Sequence, residues 1–269
     1  MLRKSLDVCW NGRWRESNVR TSETRGYSVR NRLGGRSLAI LGYHKIGEPP
    51  PGGWQTWFYV PEEIFVGHLS YLREHGWQVI DLLALLRGIT APESLPERAA
   101  LLTFDDAYRS MRTIALPWLL GFGCPAVLFV PTDYIGGFNG FDAGCEPEEA
   151  ICNWEDLREL ERLGVSIQSH GASHRSFSKL GPPEQEEELA RSKVTLEAGL
   201  EKPVEVFAYP YGDGGTHPQL TCRTLERAGY RAACLYKGGP SPLPIVEPYR
   251  LTRLAMGPDT DLQVALERG

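Results

Sequence analysis

From residue 37 onward, short runs rich in apolar residues alternate with stretches whose apolar residues recur every three or four positions. The runs fall at 38–43, 77–80, 99–104, 126–130, 165–169, 204–208 and 231–235, with a weaker one at 250–255. Short apolar runs bounded by turn residues read as strands buried on both faces. Between them, Phe65, Leu69 and Leu72 form the apolar stripe of a helix opened by Pro61 and stopped by Gly76. Asp81 caps a short helix through Leu86, and Asn153 caps one over 154–163, with Glu155 and Asp156 in its first turn. Further helices are expected over 183–200 and 220–228.

Strands repeatedly separated by helices imply parallel pairing in βα units. Seven or eight such units in residues 37–269 fit an α/β fold, a distorted and closed or nearly closed (β/α) barrel. An open doubly wound sheet is the alternative, but no glycine-rich phosphate turn follows the first strand. No repeat or linker divides residues 37–269, which read as a single domain. Residues 1–36 differ: arginine recurs, apolar residues are isolated, and a basic, disordered arm is expected. No apolar segment follows its early positive charges, so no secretory signal is read and the expected location is cytoplasmic. An extracytoplasmic location would require a different start site.

Composition narrows the picture modestly. No apolar run approaches the roughly 18 residues of a membrane span. A net charge of −5 gives no basic surface for a nucleic acid. Six cysteines are scattered without a CxxC pair, and a core of this size needs no disulfide framework, so they read mostly as reduced apolar residues. A Cys145–Cys152 pair within one loop would require an oxidising compartment.

The candidate chemistry lies at the carboxyl ends of the expected strands, where a parallel barrel carries its functional groups. Those ends hold His44, Asp105 with Asp106, His170 with His174, and Pro210 with Tyr211. Adjacent carboxylates repel, and a fold keeps them mainly where a cation or a proton exchange uses them. An aspartate with two histidines is a common way to hold a borderline divalent ion with one position open to water. The HxxxH spacing is expected to set both rings on one face of a helical turn. Taken singly, the acid pair could be a solvated turn and the histidines surface residues. Trp54, Trp57, Tyr59, Tyr134, Phe138 and Phe141 lie in two long loops, where they either stack on sugar rings or pack the loops down.

Thr103-Phe-Asp-Asp106, Ser169-His-Gly-Ala-Ser-His174 and Phe207-Ala-Tyr-Pro-Tyr-Gly212 resemble, in order, the first three motifs of the polysaccharide deacetylase (NodB-homology, carbohydrate esterase 4) family. The resemblance extends over roughly residues 38–255, including Leu41-Gly-Tyr-His-Lys-Ile46, Leu128-Phe-Val-Pro131 and Trp154-Glu-Asp-Leu157. It implies metal-dependent hydrolysis of an N-acetyl or O-acetyl group on a sugar of a polysaccharide or oligosaccharide. By position, Asp106, His170 and His174 would hold a divalent metal, zinc in the first place, with cobalt or nickel as alternatives. Asp105 would be the general base, and the Tyr211 N–H would stabilise the oxyanion. Tyr43, Tyr108, Pro210 and Tyr211 are the expected substrate contacts.

Two positions depart from the pattern. Many members carry arginine where Ala208 stands, and Arg253, on the last expected strand, is the candidate replacement. No histidine follows His217, so His44 is the expected general acid, as in the branch resembling poly-β-1,6-N-acetylglucosamine deacetylases, with His217 its competitor. The other function classes are a related metal hydrolase acting on a xylan acetyl ester or a non-carbohydrate C–N bond, and a carbohydrate-binding barrel without catalysis.

Overall fold

The computed structural model describes residues 36–241 and 243–267. The expected basic arm therefore lies, but for Arg36, outside the described residues. The first strand, β1 (Ser37–Tyr43), runs almost directly into β2 (Lys45–Ile46). A loop leads to β3 (Tyr59–Val60), which pairs with β2 in a small separate sheet. Then follow α1 (Glu62–Glu74), β4 (Gln78–Val79), α2 (Leu82–Thr90) and β5 (Arg98–Phe104). A wide turn over Met111–Ala115 feeds α3 (Leu116–Phe122), and β6 (Ala126–Val130) comes next. The second half is α4 (Trp154–Arg162), β7 (Val165–Ser169), α5 (Pro182–Leu200), β8 (Val206–Ala208), α6 (Pro218–Arg227), β9 (Ala232–Cys234), β10 (Leu254–Ala255) and α7 (Leu262–Glu267).

The main sheet is parallel throughout, in the order β10-β1-β5-β6-β7-β8-β9, with β4 flanking β5. A single parallel bridge from Cys234 to Leu251 spans the seam between β9 and the segment leading into β10. The result is a deformed barrel rather than an open sheet. Because side chains alternate across each strand, the barrel builds two apolar compartments. Leu38, Ile40, Leu101, Val127, Phe129, Val206 and Ala232 belong to one. Leu41, Tyr43, Leu102, Leu128, Phe207 and Ala233 join the helices in the other.

The helix signals are realised as hydrogen bonds. Asp81 accepts from Ala84 N at 2.7 Å, and Asn153 and Asp156 cap each other's backbone N–H groups at 2.9 and 3.0 Å. Two helices had no clear signal in the sequence. The stretch of α3 reads Leu-Pro-Trp-Leu-Leu-Gly-Phe, too uniformly apolar to show a period, and α7 is only six residues long. The alternative of a Cys145–Cys152 bridge is not realised: Cys152 is a buried free thiol in the core.

Register delivers the functional residues to one level. Tyr43 pairs with Phe104, so the next residues, His44 and Asp105, emerge side by side, and Asp105 N donates to Tyr43 O at 2.9 Å. Val130 pairs with Ser169, and Ala208 with Cys234, so His170 and the 209–212 turn leave the barrel at that same end.

Candidate active site

Asp106, His170 and His174 offer one ligand atom each within 4.8 Å of one another. All three are buried, at 2 %, 1 % and 4 % exposure. The Nε2 atoms of His170 and His174 lie 3.4 and 3.1 Å from Asp106 Oδ1. The His170 Nδ1–H donates to Ala208 O at 2.7 Å, which fixes the tautomer and leaves the Nε2 lone pair facing the carboxylate. Asp106 Oδ1 is nonetheless a buried oxygen without a hydrogen bond. An oxygen acceptor crowded by imidazole nitrogens that aim no N–H at it is an arrangement that a cation between them resolves. The donor set, one carboxylate and two imidazoles, fits a borderline divalent ion.

The two histidines do not converge through a helical turn, as their spacing suggested. Residues 170–174 form an irregular loop with Gly171 at φ 80° and His174 at φ 57°. Asp106 (φ 69°), Ala107 (φ 58°) and Tyr211 (φ 58°) share this left-handed conformation. It costs a non-glycine residue about 1–3 kcal/mol and persists where the surroundings over-determine it. Four of the five such residues among those described sit at this site.

Asp105 is held apart from the trio. Arg253 donates to its two oxygens at 2.7 Å each, and also to Leu235 O at 2.7 Å and Thr103 Oγ1 at 3.1 Å. The guanidinium is fully buried between the rings of Phe129 and Tyr236. Burial alone would raise the Asp105 carboxyl, but Arg253, helped by His170 and His44, holds the group below its ordinary value. Burial likewise opposes the charge of Asp106, and the surrounding imidazoles hold that carboxyl well below the usual range.

His44 faces the same cavity, its Nε2 3.8 Å from Asp106 Oδ2 and 4.0 Å from Asp105 Oδ2. Its ring is set between Phe58 (4.6 Å) and Tyr236 (4.8 Å). Burial pushes the imidazole down, against the pull of Asp106 and Asp105. His217, in contrast, is exposed and starts α6 away from the cavity.

The cavity encloses about 910 Å³. Its roof is the pair of loops over residues 47–58 and 131–152. Lys45 pins them: its Nζ reaches Glu146 Oε2 at 2.6 Å and lies over the rings of Tyr59 and Tyr108. Thr56 adds a hydrogen bond to the same carboxylate at 2.7 Å. Phe141 covers His174 at 4.1 Å, and Tyr211 meets that ring edge-on at 4.6 Å. Trp54 and Tyr211 line the cavity while remaining 49 % and 54 % exposed, so they offer aromatic faces at its mouth.

The expected substrate contacts divide. Tyr108 and Tyr211 line the cavity. Tyr43 does not: its side chain turns into the core against Phe65 and Phe104, and its hydroxyl meets His68 Nδ1 at 3.1 Å. Pro210 is buried beneath the turn instead of facing the cavity. Sequence reasoning missed Phe58, Tyr236, Lys45, Glu146 and Asp142, all of which line it. None lies in a spacing with chemical meaning, although Lys45 directly follows His44.

Fold and site together define a class: a deformed parallel barrel whose mouth carries an Asp-His-His centre suited to a divalent ion, beside an arginine-paired carboxylate. A family model described as "Polysaccharide deacetylase" matches residues 93–233, just over half of the sequence. The chain belongs to the polysaccharide deacetylase family. It is 26 % identical over 194 residues to YxkH of Bacillus subtilis (strain 168), a protein named for the same family, covering 72 % of this chain and 62 % of that one. It is 26 % identical over 196 residues to the poly-beta-1,6-N-acetyl-D-glucosamine N-deacetylase of Escherichia coli (strain K12), covering 60 % and 28 %. The chain thus spans less than two thirds of either relative. Its fold is similar to that of the Streptococcus pyogenes deacetylase PplD, with TM-score 0.73 and 21 % identity over 86 % of this chain and 98 % of that one. IcaB from Ammonifex degensii gives TM-score 0.71 and 24 % identity over 86 % and 96 %.

Proposed function

We propose that the chain is a metal-dependent hydrolase that removes acetyl groups from N-acetylated, or O-acetylated, sugars of a polysaccharide or oligosaccharide. The observation that carries this reading is the pairing of Asp105 with Arg253 directly beside the Asp106-His170-His174 centre. A carboxylate buried at 2 % exposure and kept ionised by a guanidinium is poised to accept a proton. Asp106, His170 and His174 would hold the ion, zinc in the first place. When bound there, a divalent ion supplies a more acidic water and polarises the acetyl carbonyl.

In this reading Asp105 takes the proton from the attacking water. Arg253 keeps both Asp105 oxygens in place, doing what arginine does at the position of Ala208 in many relatives. The Tyr211 N–H, on its left-handed turn, would be the donor to the developing oxyanion. His44 delivers a proton to the leaving amine. Tyr108 and the exposed rings of Trp54 and Tyr211 would contact the sugars. Similarity to the E. coli enzyme, by its name, supports a β-linked N-acetylglucosamine polymer as substrate.

The test is acetate release by the purified chain from N-acetylglucosamine oligomers, with acetylated xylan in parallel. Release should need added zinc, stop with chelator, and be absent from Asp106→Ala. Acetate from xylan alone would move the assignment to an ester hydrolase. No acetate from either substrate by zinc-loaded chain would refute the reading.

A further inference from the structure

In the sequence the acidic stretch from Glu184 to Glu188 reads as the solvated start of a helix. Glu184 fits that description, exposed and paired with Arg175. Glu188 does not. It is 5 % exposed on the inner face of α5, and its carboxylate reaches over to the loop that carries both histidines. Oε2 accepts from Ala172 N at 2.8 Å and from Ser173 N at 2.9 Å, and Oε1 accepts from the Ser173 hydroxyl.

We infer that Glu188 is a positioning residue for the metal centre, holding residues 170–174 in the one shape that turns His170 and His174 toward Asp106. The inference rests on the metal reading above. The loop has no helical bonds of its own, and it reverses direction through left-handed residues at Gly171 and His174. Its carbonyls at Gly171 and Ala172 accept from Thr132 N (3.2 Å) and Asp133 N (2.9 Å) on one side. Its amides at Ala172 and Ser173 are met on the other side by Glu188. Arg191, also on α5, joins the two clamps, donating to both Asp133 oxygens and lying 3.9 Å from Glu188 Oε1. An ionised carboxylate receiving two adjacent N–H groups is a strong, directional anchor. Without it, one buried and one half-buried amide lose their partner, and the strained His174 backbone has nothing on that side to oppose relaxation. Groups that orient a metal's ligands typically change affinity about 10–100-fold when replaced.

The experiment uses the full chain. Zinc affinity is measured by competition with a chromophoric chelator, and the cobalt-loaded protein is examined by its visible absorption. Glu188→Ala and the near-isosteric Glu188→Gln are compared with Leu196→Ala, a core truncation on the same helix remote from the loop. Glu188→Ala should bind zinc about 10–100-fold more weakly, with an altered cobalt spectrum, and Glu188→Gln, whose carbonyl oxygen still accepts both N–H groups, should recover part of the affinity. Leu196→Ala should lose thermal stability and keep wild-type affinity. Wild-type affinity and spectrum in Glu188→Ala would overturn the inference, as would an equal affinity loss in Leu196→Ala. A wild-type chain that takes up no divalent ion would overturn the metal reading itself, an outcome separable from the other two.

Discussion

Replacing Arg253 by methionine keeps much of the side chain's bulk and deletes its charge. The cost can be worked from its surroundings. The guanidinium is fully buried and holds both oxygens of Asp105 at 2.7 Å. Breaking a buried pair by removing one partner costs about 3–5 kcal/mol. In a domain of this size that corresponds to a fall in Tm of about 6–20 °C. The fold should survive, since domains hold about 5–15 kcal/mol. The sharper effect concerns the proton. Burial pushes Asp105 up, and Arg253, His170 and His44 together hold it below its ordinary value. With Arg253 gone, the chief opponent of burial is lost and the carboxyl rises. A cation on Asp106 pulls in the same direction in both proteins and leaves the sign unchanged. The acid limb of kcat/KM should therefore move to higher pH in Arg253→Met, with the deficit growing as the pH is lowered. The linkage has the matching sign: a depressed carboxyl stabilises the fold above its unfolded value near ~4 and loses that stabilisation as pH falls through its folded one. The Tm gap between wild type and variant should accordingly be widest at neutral pH and narrow in acid. Zinc content should stay at the wild-type level. Unchanged kcat/KM with an unmoved acid limb, in protein of equal zinc content, would refute the assignment of Arg253 to the base.

His44→Ala should lower turnover by about 10²–10⁴ while zinc binding persists, whereas His217→Ala should match wild type; the two variants are compared by steady-state acetate release. Zinc at a hundred times its Kd should stabilise the apo chain by about 2.7 kcal/mol, read as a concentration-dependent Tm that Asp106→Ala lacks. Gly212→Ala should cut activity more than stability: its φ of +64° disfavours a side chain, and a Cβ would stand 2.7 Å from Tyr236 N, displacing the Tyr211 turn. Kinetics and melting curves on one preparation check the last point.

The barrel was legible because most of its buried parallel strands appear as short apolar-rich runs, and the strand ends followed from them. Asp105, Asp106, His170 and His174 could be assembled on paper for the same reason, since register does the rest. Arg253 could be nominated from the last expected strand, although the structure sets it directly before β10 and its bidentate pairing could not be read in advance. What escaped was set by loops and tertiary contacts. The HxxxH pair suggested a helix, but a glycine at φ 80° followed by His174 at φ 57° bends the chain otherwise. Tyr43 sits next to His44 yet points the opposite way, because alternation along a strand sends neighbours to opposite faces. Glu188 looked solvated among four other acidic or amide neighbours, and only its place on the inner side of α5 separates it from Glu186 and Glu187. Lys45 and Glu146 meet across 101 positions, a distance over which no local pattern speaks.

The seam strand has a consequence for how the molecule comes into being. Asp105 and its guanidinium stand 148 positions apart, and Arg253 joins the growing chain only after Asp106, His170 and His174. Every ligand of the Asp-His-His centre is synthesised well before that. A nascent chain halted just short of residue 253 would thus carry Asp106, His170 and His174 beside an acid with no counter-charge, so in the proposed reading the partner of the base is the last of these groups to arrive.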